Sequence, residues 1–237
     1  MRILILGASS AVGTALAAEF APGSSLLLAG RSSERLAAAE RRCREAGALE
    51  VVRVSADLAA GTGPLVRAIG ESQIDLVIDA ASAASGSRDE EIGAGELPRY
   101  VAADLTSKIA LLDHLLGRQA AAPAVIFISS VLTRVRSPGR VVYTSLKGLH
   151  EAYLRKLRDK RPDLRLLVVH VGAVIDTTRP SRKADGLARA VGKSFRAGRG
   201  ELMFGLGGRF LLGLFYVQPV LFLLATLLQR RLRRLRP

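Results

Sequence analysis

The sequence predicts an α/β fold: a doubly wound parallel sheet in three layers, with an apolar helical extension at the C-terminus. Three observations predict it. Short apolar runs alternate with charged stretches of helical period along most of the chain. The runs are continuously apolar rather than alternating, as strands covered on both faces must be. The first of them leads directly into a glycine turn and a helix. At 237 residues the chain is long enough for one α/β domain with a full core.

The elements follow in order. Arg2–Leu6 is the first strand, and Gly7-Ala8-Ser9-Ser10-Ala11-Val12-Gly13 is the turn, followed by a helix through Thr14 to Phe20. A strand, a glycine turn and a helix N-terminus make a site for a pyrophosphate, because unpaired N–H groups and the helix dipole both favour an anion. Gly7 allows the tight turn and Gly13 lets the helix pack close, while Ala11 stands where a third glycine often sits. Gly7, Ser9, Ser10, Val12 and Gly13 are the candidate contacts. This is the opening of a Rossmann-type fold.

Ser25–Ala29 is the second strand, followed by Gly30-Arg31-Ser32. An acid at this point suits a ribose 2′-hydroxyl and a base suits a 2′-phosphate. Arg31, with Ser9 and Ser32, therefore argues for NADP(H) over NAD(H). A charged helix spans 34–46, and a third strand, 50–54, ends near Asp57-Leu58. Asp57 can accept from an adenine amino group or cap the next helix. Ile74–Ile78 is the fourth strand and ends in Asp79-Ala80-Ala81-Ser82, where Ala80 and Ala81 let a cofactor approach the backbone. The polar stretch 83–95 is expected to be a mobile loop, and a long helix runs from about Leu97 to Gln119.

The fifth strand carries Val125–Ile128 and ends at Ser129-Ser130. Residues 131–140 bridge to a helix that holds Tyr143 and continues to Lys160. Tyr143 and Lys147 are four apart, so they share one helix face. A phenol titrates near pH 10 in water, and a neighbouring ammonium favours its ionised form. The pair thus predicts a tyrosine able to pass a proton at neutral pH, with Lys147 as the cause. The Ser130 hydroxyl is placed to bond the same substrate oxygen.

Leu164–His170 is the sixth strand, and residues 171–177, with Gly172, Val174 and Thr177, are expected to close over the nicotinamide side. Residues 180–200 hold a basic linker and a helix, and Glu201–Phe204 a short last strand. The domain is expected to span 1–205, and 206–237 to form a separate apolar and basic segment.

Composition narrows the function classes. Three histidines and one cysteine, Cys43, offer no metal-ligand spacing and exclude an intrachain disulfide. Met1-Arg2 runs straight into a strand, unlike a secretory signal. The net charge is +14, yet there is no tryptophan and no basic motif interleaved with stacking residues, which argues against nucleic acid. Much of the excess falls after residue 178, beside Phe210–Leu228, a run without formal charge that Gln218-Pro219 interrupts. Such a run, near the lower limit for a bilayer span, predicts a bent or re-entrant hairpin or an interfacial helix, peripheral on the inner face of the cell membrane, with a core or dimer-interface helix as the alternative.

Together these stretches resemble the short-chain dehydrogenase/reductase family over about residues 1–180. The likeness rests on the turn Gly7–Gly13, Asp57-Leu58, Ser130 and Tyr143-x-x-x-Lys147, with the Ser-to-Tyr spacing usual in that family. It implies a cytoplasmic NADP(H)-dependent oxidoreductase that interconverts a keto group and an alcohol. Ser130 and Tyr143 would polarise the carbonyl, and Lys147 would bind the nicotinamide ribose. The chain departs from the pattern at Asp79-Ala80-Ala81-Ser82, at Val171-Gly172 and at Asp104, which stands at the tetrad's asparagine. A homodimer through the Tyr143 helix is a further implication. A narrower similarity, in Ser129-Ser130-Val131, Arg134-Val135-Arg136 and the apolar-basic tail, is to reductases of decaprenylphosphoryl-2-keto-pentose. It would imply a lipid-linked carbonyl substrate.

Overall fold

The computed structural model describes residues 1–83, 92–93, 95–135, 139–172 and 181–205. Seven strands form one parallel sheet in the order β3-β2-β1-β4-β5-β6-β7. They are β1 Arg2–Leu6, β2 Ser25–Gly30, β3 Glu50–Ser55, β4 Leu76–Asp79, β5 Ala124–Ser130, β6 Leu166–Val171 and β7 Glu201–Phe204. The chain runs outward from β1 to β3, then returns to the other side of β1 and continues to β7. That reversal between β1 and β4 opens a crevice at the strand C-terminal ends, where α/β sheets bind ligands.

The continuous apolar strands are buried on both faces. Ile3, Leu4, Ile5 and Leu28 have no exposed surface, and each such side chain contributes roughly 1.5–3 kcal/mol by leaving water. One face packs against α1 (Ala11–Phe20), α2 (Ser33–Glu45) and α7 (Arg182–Arg196), through Leu16, Leu36, Ala39, Leu187 and Val191. Phe20 and Phe195 meet edge to face at 5.8 Å and lock α1 to α7. The other face packs against α3 (Gly63–Ile69), α5 (Ser107–Arg118) and α6 (Val141–Lys160), through Leu65, Ile69, Leu111, Leu115 and Leu154. This is the three-layer doubly wound arrangement expected, and β7 completes it.

Two elements differ from the expectation. The helix α3 was hidden by Gly61-Thr62-Gly63-Pro64, which reads as a loop but places proline in the first turn, where its missing N–H is harmless. The long helix expected over 97–119 is interrupted. After α4 (Leu97–Val101) the backbone makes a π-helical turn, Ala102–Thr106, before α5 begins. Cys43 is fully buried, and burial pushes its thiol up to about 11, so it is inert. Among the described residues no helix is long and apolar enough to cross a membrane. The segment 206–237 lies outside them, as do 84–91 and 94 of the loop expected at 83–95.

Candidate active site

A cleft of about 580 Å3 runs along the strand C-terminal ends. Its near end is built by backbone. Gly7 has φ +78°, and a Cβ there would meet the backbone of Ala81 at 2.8 Å. A Cβ on Gly13 would meet the Gly7 carbonyl oxygen at 2.1 Å, so only glycine lets α1 seat on the turn. Ser10 caps α1: its hydroxyl accepts from the Gly13 N–H at 3.0 Å and donates to the Gly7 carbonyl at 2.8 Å. Gly7, Ser9, Ser10 and Val12 line the cleft, while Gly13 lies beneath the turn.

Further along, Gly30 closes on Ser9, since a Cβ at Gly30 would meet its hydroxyl at 2.6 Å. Arg31 lines the cleft there together with Arg35. Arg35 escaped the sequence reading because it sits inside a helix of many charges, and only the wrap of α2 onto β2 brings it to Arg31. Ser32 is not part of the lining. Its hydroxyl accepts from the Arg35 N–H at 3.3 Å and caps α2. Asp57 does line the cleft, and its carboxylate caps the turn Leu58–Ala60 by accepting from the Ala59 N–H at 3.0 Å. Leu58, Ala80, Ala81 and Gly172 also line it, whereas Val174 and Thr177 lie outside the described residues.

The far end is built by side chains. Ser130 terminates β5, and Tyr143 and Lys147 stand one turn apart on α6; all three line the cleft. The Ser130 hydroxyl lies near enough to the Tyr143 phenol to favour its ionised form, and it accepts from the Leu132 N–H at 3.2 Å. The Lys147 ammonium donates to the carbonyls of Ile128 at 2.8 Å and Ala81 at 3.3 Å, and lies 4.9 Å from the Phe127 ring centroid. Behind Ser130, Glu151 accepts from the Ser129 hydroxyl at 3.1 Å and pairs with Arg134 at 2.6 Å. This ties the end of β5 and the turn Val131–Arg134 to α6, and so fixes where Ser130 points.

Burial pushes the Tyr143 phenol above its ordinary range, and the Asp104 carboxylate adds to that. The Ser130 hydroxyl and the charges of Arg140 and Lys108 pull the other way. The sequence assigned the downward pull to Lys147 alone. The structure corrects this: the positive groups acting on the phenol are Arg140 and Lys108, while Lys147 is engaged with backbone carbonyls.

Asp104 sits in the π-helical turn, 4% exposed. Its carboxylate accepts from the Ser82 hydroxyl at 3.1 Å and the Ala83 N–H at 2.8 Å, clamping the chain that leaves β4. Beneath lies a group the sequence reading passed over. Lys108 pairs with Asp79 at 2.9 Å, both almost fully buried, and His150 Nδ1 faces the other Asp79 oxygen at 3.5 Å. Residue types gave no signal here, because the pairing joins β4 to helices 29 and 71 residues later (108 − 79; 150 − 79). Lys108 was a plausible surface lysine until the π-helical turn is seen.

The family model of the short chain dehydrogenases matches residues 1–183. The chain belongs to the short-chain dehydrogenase family. It is 29% identical over 209 residues to an uncharacterized oxidoreductase, Rv2073c, of Mycobacterium tuberculosis strain H37Rv, covering 80% of this chain and 84% of that protein. The fold is also that of a short-chain dehydrogenase from Sphingobium yanoikuyae solved with NADPH. That structure is 23% identical, has a TM-score of 0.75, and the match covers 93% of this chain and 94% of the other. A bulky-bulky ketone specific alcohol dehydrogenase from Comamonas testosteroni is 19% identical with a TM-score of 0.74, and 93% of each chain is covered. In this short-chain dehydrogenase, then, the Gly7 turn and the Ser130–Tyr143–Lys147 group share one cleft.

Proposed function

We propose that this oxidoreductase uses NADP(H) to reduce a ketone to an alcohol, with Tyr143 giving the proton. The observation that carries the reading is that Ser130, Tyr143 and Lys147 line the same cleft as the glycine turn. The residues present suit a phosphorylated dinucleotide. The Gly7 turn and the N-terminus of α1 suit a pyrophosphate, since side chains are kept away and N–H groups are left to donate. Arg31 and Arg35 suit a 2′-phosphate, and Asp57, Leu58, Ala80 and Ala81 lie where an adenine and the nicotinamide ribose would pass. The Sphingobium short-chain dehydrogenase was solved with NADPH, which supports a phosphorylated dinucleotide here. When bound, the cofactor supplies the hydride.

The chain's own groups do the rest. Ser130 and Tyr143 donate to the substrate oxygen where negative charge develops, which is where a fixed donor lowers a barrier most. Tyr143 passes its proton to that oxygen as the alcohol forms. Lys147, held by Ile128 and Ala81, offers its remaining proton towards the ribose side of the cleft. Tyr143→Phe is expected to lower kcat for NADPH-dependent ketone reduction by roughly a thousandfold while NADPH still binds. Full turnover in that variant would overturn the assignment.

The uncharged run 210–228 between basic flanks supports a lipid-like or lipid-linked ketone taken up at a membrane surface. Flotation with anionic liposomes should recover the full chain and lose the chain lacking 209–237. Equal recovery of both would leave only the general ketone reduction.

A further inference from the structure

Helix α7 sorts its residues into two opposed faces. Ser181 caps it by accepting from the Ala184 N–H at 3.2 Å. Ala184, Leu187, Ala188, Val191 and Phe195 bury one face in the core. At about 100° per residue, Arg182, Arg189, Lys193 and Arg196 fall within an arc of about 60° on the opposite face, and all four are exposed. No acidic side chain falls between them. The two nearest carboxylates are committed at the margins, Asp185 to Arg42 at 2.5 Å and Glu19 of α1 to Arg196 at 3.0 Å. Arg182, Arg189 and Lys193 make no ion pair among the described residues.

A solvated helix face needs polarity, not a single sign. Like charges three and four residues apart repel and weaken a helix, as 189, 193 and 196 must. Helix α2, in the same layer, shows the mixed arrangement: Glu40 pairs with Arg44 and with Arg53, each at 2.8 Å. The single-sign stripe of α7 is suited instead to an anionic partner.

Where the chain goes next selects the partner. Helix α7 joins β6 to the parallel strand β7, so its first turn lies at the strand C-terminal ends. There a Cβ on Gly186 would lie 3.9 Å from the Phe204 ring, and the Gly172 N–H donates to the Phe204 carbonyl at 3.2 Å. The start of the stripe, the end of β7 and the Gly172 rim of the cleft are thus neighbours. The sequence that follows Gly205 holds the uncharged run 210–228 and an arginine-rich end. Nucleic acid or an acidic protein would suit the stripe but not the apolar run beside it. An anionic bilayer suits both, with headgroup phosphates for the basic residues and acyl chains for the apolar ones.

We propose that the Arg182–Arg189–Lys193–Arg196 face of α7 is a docking surface for an anionic lipid bilayer, acting together with the segment that follows β7. Docking through this face sets the Gly172 rim of the cleft beside the headgroups, where a lipid-linked ketone enters. The proposal rests on the membrane uptake read above and adds the face of the folded domain that makes the contact.

The test floats the full chain with vesicles of phosphatidylcholine alone, or of phosphatidylcholine with an equal part of phosphatidylglycerol. One variant carries Arg182→Gln, Arg189→Gln and Lys193→Gln, since glutamine suits a helix about as well. A control takes the same charge from exposed positions in the other layer, with Arg118→Gln, Lys156→Gln and Lys160→Gln. Wild type and control should float with the anionic vesicles, and the α7 variant should bind them roughly tenfold to a hundredfold more weakly. Added salt should weaken the wild type more than the α7 variant. Thermal melts should match among the three, so that lost flotation is not lost folding. If the α7 variant melts early, its three single substitutions replace it, each expected to weaken binding severalfold. Equal binding by the α7 variant and the control overturns the proposal but leaves membrane uptake through the tail standing, as does equally tight binding to phosphatidylcholine alone. A wild type that floats with neither vesicle overturns both readings. Tighter binding to a duplex oligonucleotide than to anionic vesicles, lost in the α7 variant, would make the stripe a nucleic-acid surface and overturn the proposal.

Discussion

The two ends of the cleft are made of different material. The glycine-turn end is backbone: Gly7 and Gly13 exclude side chains, Ser10 and Ser32 cap helices, and the charges there, Arg31 and Arg35, are exposed. The Tyr143 end is buried charge: Asp79, Asp104, Lys108 and Lys147 lie in near-complete absence of water. The first end gets its specificity from shape and tolerates a change of surface charge. The second gets it from electrostatics in a low-dielectric setting, where each charge is worth far more and each loss is felt by the others.

That contrast orders the expected effects. The largest is on stability. Lys108→Met leaves Asp79 buried without its partner and should cost about 3–5 kcal/mol, whereas Asp79→Asn with Lys108→Met should recover most of it, because a neutral pair needs no desolvation of charge. Urea denaturation measures both; equal losses would mean that the pair is not the unit it looks to be.

Next is acid sensitivity. The folded His150 resists protonation down to about 3, while an unfolded histidine takes up a proton near 6.5. Between those values the unfolded chain binds the extra proton, so stability falls as pH drops through that window. The full difference is about 5 kcal/mol at the acid end. Asp79, held low by Lys108 and Lys147 against its burial, adds a loss only below the ordinary aspartate range. His150→Gln should flatten the dependence between pH 6 and 4 in thermal melts; an unchanged slope would place its origin elsewhere.

The smallest effect belongs to the other end. Arg31→Asp should weaken NADPH relative to NADH by roughly tenfold, as befits an exposed ion pair with a phosphate worth about 1 kcal/mol, with the fold unaffected. An unchanged ratio of the two binding constants would give that task to Arg35.

Legibility in the sequence followed the same divide. Gly7, Gly13 and the apolar strands declare themselves, because backbone geometry and burial constrain residue type locally. Ser130, Tyr143 and Lys147 were readable for a similar reason: a strand end and a one-turn helical spacing place them with no need of long-range information. The Asp79–Lys108–His150 cluster was not readable, since its members are ordinary residues until the sheet and two helices bring them together. The source of the pull on the Tyr143 phenol was misassigned for that reason, as Lys147 was the only cation whose distance the sequence fixed. Arg35 and α3 were missed more simply, one among many arginines and the other behind a glycine–proline stretch.

The π-helical turn at Ala102–Thr106 carries a consequence for the kinds of change this protein can undergo. A π turn holds about one residue more than an α turn, so removing one residue there would let it close as ordinary α-helix while α5 keeps nearly its present orientation. Lys108 would still face Asp79, and Leu111 and Leu115 would stay on the sheet. The same deletion within the regular part of α5 would turn the rest of that helix by about 100°, so this turn is where the layer can lose a residue without being remade.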